Sequence, residues 1–397
     1  MLLKAGLLID GKGNPPQYNC CIAIENGNII AVGREADFSQ DTVGQALDYS
    51  SFTVLPGLID AHVHLFLEGI ADMEQRQSRW LENKEITLLR AAKNLELTLK
   101  KGVTTIRDVG EPGGIAATLK QALDQKAALG PRVLTCNRVA SITGGQFHYS
   151  DGREADGPEE MAQAVREQAA AGADCIKLML TGMVNFRTEQ AGAIELSVEE
   201  FQAAVLAARR YALPVSVHAN GDAGVRQALA AGVNSIENGI FVNGETTELI
   251  SDSPVHWMPT LVPLFKLLSY SRGNVAAALP EAGLERVYEQ HCANVKRGIE
   301  AGASVIAGTD AGALGVEHGD VWQELVLFVT LGMAPVDAIA AATGKAAKAI
   351  GVGAVTGVVE TGKSADLLVV QGNPLSDMKD LQNVVQVYRD GVSVFQL

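Results

Sequence analysis

From residue 53 to residue 310 short apolar runs alternate with amphipathic stretches, and this rhythm constrains the fold more than any other feature of the chain. Runs of strand length span Thr53–Leu65, Thr104–Val109, Arg132–Asn137, Asp174–Leu180, Pro214–Ala219, Asn234–Asn238, Val255–Pro259 and Ser304–Asp310. Helical stretches lie between them, among them Pro158–Ala171, Val198–Tyr211, Ala223–Ala231 and Leu284–Ala301. Three of these close on an Ala-Gly pair, at Ala171-Gly172, Ala231-Gly232 and Ala301-Gly302, the expected stop just past a helix end. Strand–helix alternation calls for a parallel sheet. An open doubly wound sheet and a closed (β/α)8 TIM-like barrel both satisfy it. The eight runs fit the barrel, whose usual size is about 250 residues. The first strand–helix turn also lacks a glycine fingerprint for a dinucleotide fold. The reading is an α/β chain with a barrel over residues 55–354.

The two ends have a different texture. Cys20–Glu25 and Ile29–Gly33 flank Asn26-Gly27-Asn28, a hairpin signal, and Val384–Tyr388 and Val392–Phe395 flank Arg389-Asp390-Gly391 in the same way. Neither end is long enough to bury a core alone. Residues 1–54 and 355–397 are therefore expected to join as one small composite β-domain, a β-sandwich.

In such a barrel chemistry gathers at the C-terminal ends of the strands. His62 and His64 end the first strand one residue apart, so both rings face one side and can reach one point. Two imidazoles serving one point suit a metal ion of the zinc type; the plainer reading is a strand that happens to carry two histidines. His218 ends the fifth strand, Asn238 the sixth and Asp310 the eighth. Singly, such residues are more often hydrogen-bonded structural groups or helix caps than ligands. Lys177 is harder to set aside. An ammonium among Ile176, Leu178 and Met179 is desolvated, and needs a partner or a changed charge state.

Further candidates lie on the loops of the same rim. His148, in Gly144-Gly145-Gln146-Phe147-His148-Tyr149, is a candidate for proton transfer or substrate contact, with Tyr149 beside it. Arg153 and Arg187 are candidates to pair with a substrate carboxylate, although surface arginines are common. His256 begins a strand and His291 lies within a helix, so both read as structural.

Composition excludes several classes of function. The 397 residues carry a formal net charge of -14, which disfavours nucleic-acid and anionic-membrane partners. Hydrophobic residues at 47% and charged residues at 20% fit a globular protein. No stretch approaches the ~20 apolar residues of a membrane span, and the N-terminus lacks a secretory h-region. Cys20, Cys21, Cys136, Cys175 and Cys292 show no metal spacing and are odd in number, so no disulfide framework is expected. Cytoplasm is the expected compartment.

The ordered motifs resemble the amidohydrolase superfamily, in its prolidase-like and imidazolonepropionase-related branch. They are Pro56-Gly57-Leu58-Ile59-Asp60-Ala61-His62-Val63-His64, Gly172–Lys177, Val217-His218-Ala219, Ala231–Glu237, Gly308-Thr309-Asp310-Ala311-Gly312 and Gly362–Leu367. The resemblance runs nearly end to end. It implies a metal-dependent hydrolase that cleaves a C–N bond of a small substrate such as a dipeptide, N-acyl amino acid or cyclic amide. His62, His64 and Asp310 would hold one divalent metal, zinc by preference. Lys177, carboxylated by CO2, would bridge to a second metal held partly by His218. Water acidified between the metals would attack, with Asp310 as general base and then acid. His318, followed by Gly319, would approach the substrate pocket. Asn238 departs from the pattern, which has His there; an amide is a poorer zinc ligand, so Asn238 implies a weakened second site, a single-metal enzyme, or a substrate contact. Deamination or carbamate hydrolysis on the same scaffold is the competing reaction. A binding protein that has lost a ligand is the competing class. The expected partner is a small molecule, with homo-oligomerisation left open.

Overall fold

The computed structural model describes residues 1–80, 82–146, 152–273 and 280–396. Four strands open the chain: β1 (Leu2–Leu8), β2 (Gln17–Glu25), β3 (Asn28–Arg34) and β4 (Leu47–Pro56). After one residue, Gly57, the chain starts β5 (Leu58–Val63), followed by β6 (Val103–Asp108) and β7 (Arg132–Thr135). Two short pieces, β8 (Ala140–Ser141) and β9 (Arg153–Glu154), belong to the long excursion after β7. Then come β10 (Ile176–Met179), β11 (Val215–Ala219), β12 (Ser235–Asn238), β13 (His256–Met258) and β14 (Ser304–Val305). The chain closes with β15 (Leu367–Val370), β16 (Val384–Arg389) and β17 (Val392–Gln396).

β5, β6, β7 and β10 to β14 are the barrel strands, paired in parallel in two arcs. Backbone hydrogen bonds close the ring. Asp174 N donates to Thr135 O at 2.8 Å between β7 and the approach to β10, while Ala61 N donates to Ala307 O at 3.1 Å on the other side. The run Thr53–Leu65 is two strands rather than one. β4 pairs with β1 and β15, whereas β5 pairs with β6. The break falls at Gly57, where a Cβ atom would lie 2.2 Å from Thr104 Oγ1. A close approach of this kind admits only glycine.

Local signals act as expected. Ser197 caps the helix Val198–Arg210: its Oγ accepts from Glu200 N at 3.2 Å, and Glu200 Oε2 accepts from Ser197 N at 2.8 Å. Gly172, Gly232 and Gly302 carry φ of 79°, 70° and 84°, the left-handed stop conformation. At the chain ends the seven strands form one mixed sheet in the order β17-β16-β15-β4-β1-β2-β3. One apolar cluster crosses from this sheet into the barrel, joining Leu55, Leu368, Val370 and Val387 to Leu95, Leu99 and Ile106. Among the described residues no helix is long and apolar enough to cross a membrane.

Candidate active site

Alternation along β5 puts the His62 and His64 rings on one side, with centroids 5.4 Å apart. Each ring is fixed from behind. His62 Nδ1 donates to Glu237 Oε2 at 2.7 Å, and His64 Nδ1 donates to the Gly110 carbonyl at 2.9 Å. An oxygen acceptor at Nδ1 leaves the lone pair on Nε2. Both Nε2 atoms face Asp310 Oδ1, at 3.7 Å from His62 and 3.5 Å from His64. Asp310 is set by its backbone: its N–H donates to His62 O at 2.8 Å, and its φ of 56° is one that Asp tolerates.

Three electron-rich atoms thus converge, all within 4.8 Å of one another. Mutual repulsion makes this arrangement unfavourable unless a cation sits between them. Two imidazole nitrogens and one carboxylate oxygen are a donor set that zinc and its neighbours accept. The residues fit a divalent metal. Burial pushes the Asp310 carboxyl up, but the surrounding His62, His64, Lys177 and His218 hold it below the usual carboxylate range. Burial pushes His62 down, with Lys177 adding to the effect, so its ring is neutral and able to ligate.

The support beneath His62 is an ion pair in the barrel interior. Glu237 Oε1 accepts from Arg107 Nη2 at 2.7 Å, Ser216 Oγ at 2.5 Å and Ser235 Oγ at 2.7 Å. Burial opposes the anion, yet Arg107 and Lys177 hold Glu237 well below the usual range. Arg107 Nε in turn donates to Ala61 O at 2.7 Å, tying this pair to the strand that bears both histidines.

Across the mouth lie Lys177 on β10, His218 on β11 and Asn238 at the end of β12. Lys177 is buried, and burial pushes its ammonium down toward the neutral amine, with Glu237 opposing. Burial, then Lys177, pushes His218 down to about 4. Its Nδ1 donates to Asn238 Oδ1 at 2.6 Å, while its Nε2 meets Asn220 Nδ2 at 3.1 Å. Asn238 Nδ2 donates to Thr260 Oγ1 at 2.7 Å.

These groups line a pocket of about 150 Å³. Among the described residues, Phe66, Leu67, Met179, Met183 and Ala313 supply an apolar wall, and Arg76 and Gln146 are the other polar lining residues. Arg76 Nη1 donates to Gly312 O at 2.6 Å, which fixes a positive charge on the pocket wall. The candidate carboxylate binders lie elsewhere. Arg153 Nε donates to Glu167 Oε2 at 2.6 Å, and Arg187 is exposed in a surface turn where its N–H donates to Asn185 Oδ1 at 2.9 Å. Neither is among the lining residues. His318 is buried behind the wall, with Nε2 donating to Leu67 O at 2.8 Å, and is not a lining residue either. His148 and Tyr149 lie outside the described residues.

Arg76, Arg107, Glu237 and Asn220 escaped the sequence reading. Two carried a usable signal: Glu237 and Arg107 sit within apolar strands, and the desolvation argument applied to Lys177 applies equally to them. Nothing comparable marks Arg76 or Asn220.

The match to known proteins agrees with this geometry. The amidohydrolase family profile covers residues 53–394, and the chain belongs to that family. Ochratoxinase of Aspergillus niger is 29% identical over 98% of this chain and 85% of its own length. Imidazolonepropionase of Agrobacterium fabrum is 27% identical over 88% of this chain and 84% of its own. The crystal structure of a Xaa-Pro dipeptidase with methionine bound in the active site superimposes with a TM-score of 0.89 at 32% identity, covering 100% of this chain and 99% of that one. The chain is a hydrolytic enzyme of the amidohydrolase type, acting on C–N bonds. Its family binds divalent metal, and His62, His64 and Asp310 form the candidate site.

Proposed function

We propose that this enzyme hydrolyses the amide bond of a small N-acyl amino acid or dipeptide whose free carboxylate meets Arg76. The observation that carries the reading is the convergence of His62 Nε2, His64 Nε2 and Asp310 Oδ1 in a pocket whose described lining combines apolar side chains with the Arg76 guanidinium. A guanidinium recognises a carboxylate through its planar donors, and a similar relative holds an amino acid, methionine, in its active site.

His62, His64 and Asp310 would hold zinc. When bound, a divalent metal supplies polarisation of the amide carbonyl and acidification of water. Asp310, kept anionic by its neighbours, accepts the proton of the attacking water at a carboxylate oxygen and returns it to the departing amine. Glu237 keeps the His62 ring in the tautomer that presents Nε2. Lys177, buried and driven toward the neutral amine, is suited to add to CO2 by forming an N–C bond and releasing a proton. The resulting carbamate and His218 would hold a second metal, more weakly than the first. His148 is a further candidate for proton transfer.

Protein of known metal content, screened against dipeptides, N-acyl amino acids and the same compounds amidated at the carboxylate, tests the reading. Turnover should be confined to the free acids. Equal turnover of the amidated compounds would remove Arg76 from substrate recognition, and no turnover of any amide would overturn the substrate class.

A further inference from the structure

We propose that Asn220 is a positioning residue that keeps His218 in a tautomer whose two nitrogens are both engaged by protein, and so governs how tightly the second half of the barrel mouth takes a metal. The inference rests on the metal reading above and deepens it.

The argument is a chain of hydrogen bonds in which each donor fixes the next. The Ile240 backbone N–H donates to Asn220 at 2.8 Å, and a backbone N–H must meet the amide oxygen. Asn220 therefore turns its NH2 group to His218 Nε2, 3.1 Å away. An amide NH2 only donates, so Nε2 carries the lone pair and the ring's proton sits on Nδ1. That proton is donated to Asn238 Oδ1 at 2.6 Å. Asn238 must then present its own NH2 to Thr260 Oγ1, at 2.7 Å. A second bond, from the Asn220 backbone N–H to Thr181 Oγ1 at 3.0 Å, anchors the residue itself. Asn220 and Thr260 are 2% exposed and His218 and Asn238 are buried at the pocket wall, so the Asn220 end of the chain is the part shielded from water.

A cation has no cost-free way onto this ring. Binding at Nε2 must displace the Asn220 amide. Binding at Nδ1 must move the ring proton to Nε2, where it faces the Asn220 NH2. Either route leaves a buried donor without an acceptor. Asn238 accordingly serves through its carbonyl oxygen on Nδ1, a role separate from ligation and from substrate contact.

The experiment combines metal binding with a direct reading of the ring. Metal-free protein labelled with ¹⁵N at histidine should show His218 as the Nδ1–H tautomer. In equilibrium dialysis with Zn²⁺ and bicarbonate, wild type should bind one tight equivalent and a weaker second. Asn220→Asp keeps the acceptor for Ile240 N–H and gives Nε2–H an acceptor, and Asn220→Ala removes the opposing donor without adding a ligand. Both should tighten the second equivalent by about 10- to 100-fold and leave the first unchanged. Circular dichroism of both variants confirms the fold, and Asn220→Asp keeps the test alive where Asn220→Ala does not fold. Two wild-type equivalents of equal affinity, an Nε2–H tautomer, or an unmoved second equivalent in folded Asn220→Asp would each overturn the proposal. Failure of wild type to bind the first equivalent would instead count against the metal reading, and the tautomer measurement would still decide this one.

Discussion

His62 and His64 on one side of the barrel mouth, and His218 on the other, are all buried imidazoles whose Nδ1 donates to an oxygen. They differ in what meets Nε2. On the first side it is a carboxylate oxygen of Asp310, which repels a lone pair until a cation intervenes. On the second it is the NH2 group of Asn220, which satisfies the lone pair. Ring number and burial are therefore poor guides to metal affinity. On the proposal above, what decides is the partner given to the ring's second nitrogen: a candidate ligand, Asp310, on the first side and a non-ligand amide, Asn220, on the second.

Removal of metal by a chelator is the bluntest way to break the comparison. Hydrolysis should fall to background and return on addition of a divalent ion at one equivalent, followed by a product assay. Next in size, Asp310→Asn should lower kcat by about 10²- to 10⁴-fold by removing the proton acceptor. Glu237→Gln acts first on the His62 side, where the carboxylate holds the ring, and also removes the anion that opposes neutralisation of Lys177. First-site metal affinity should weaken by about 10- to 100-fold, measured by competition with a chromophoric chelator. The same change leaves Arg107 without its counter-charge, so unfolding in denaturant should show a loss of about 3–5 kcal/mol. Arg76→Ala should raise KM by about 10- to 100-fold for substrates bearing a free carboxylate, with little effect on kcat.

The smallest effect comes from a reference imidazole outside the mouth. Burial pushes His291 down to about 4 from an ordinary 6.5, and its Nε2 donates to Pro259 O at 2.8 Å. Its folded ring stays neutral while the unfolded ring takes up a proton. Its contribution is therefore complete above pH 6.5 and is lost as pH falls toward 4. In that window His291→Leu should flatten the dependence of stability on pH by about 1.4 kcal/mol per pH unit, read from denaturation midpoints. His218, also pushed down to about 4, should add a similar slope in metal-free protein; a metal held on its ring would keep that slope and extend it below pH 4, because a ligated nitrogen takes up no proton.

The barrel was legible because its rhythm is local: strand length, helix period and the Ala-Gly stops all follow from backbone preferences of neighbouring residues. His62, His64, Lys177, His218, Asn238 and Asp310 were legible because each stands at or near the end of an apolar run. The strand break at Gly57 was hidden, since the apolar run continues through it and only contact with Thr104 forbids a side chain there. Asn220 and Arg76 were hidden for another reason. Asn220 follows His218-Ala219 as an ordinary helix-start residue, and its role depends on Ile240, which lies on a loop twenty positions on. Arg76 sits on the polar helix Met73–Trp80, and only the path of the chain brings it to the pocket.

The single residue between β4 and β5 has a consequence for how the molecule comes apart. β4 is held in the end sheet by β1 and β15, and β5 bears the candidate ligands His62 and His64. With no slack between them, the end sheet cannot swing as a hinged module or melt ahead of the barrel without pulling on the ligand strand. Heating should give one calorimetric transition instead of two, with metal release at the same temperature. The apolar cluster that runs from Leu368 and Val387 to Leu95 and Leu99 ties sheet and barrel together a second time, so a cut at Gly57 should loosen the mouth without separating the two.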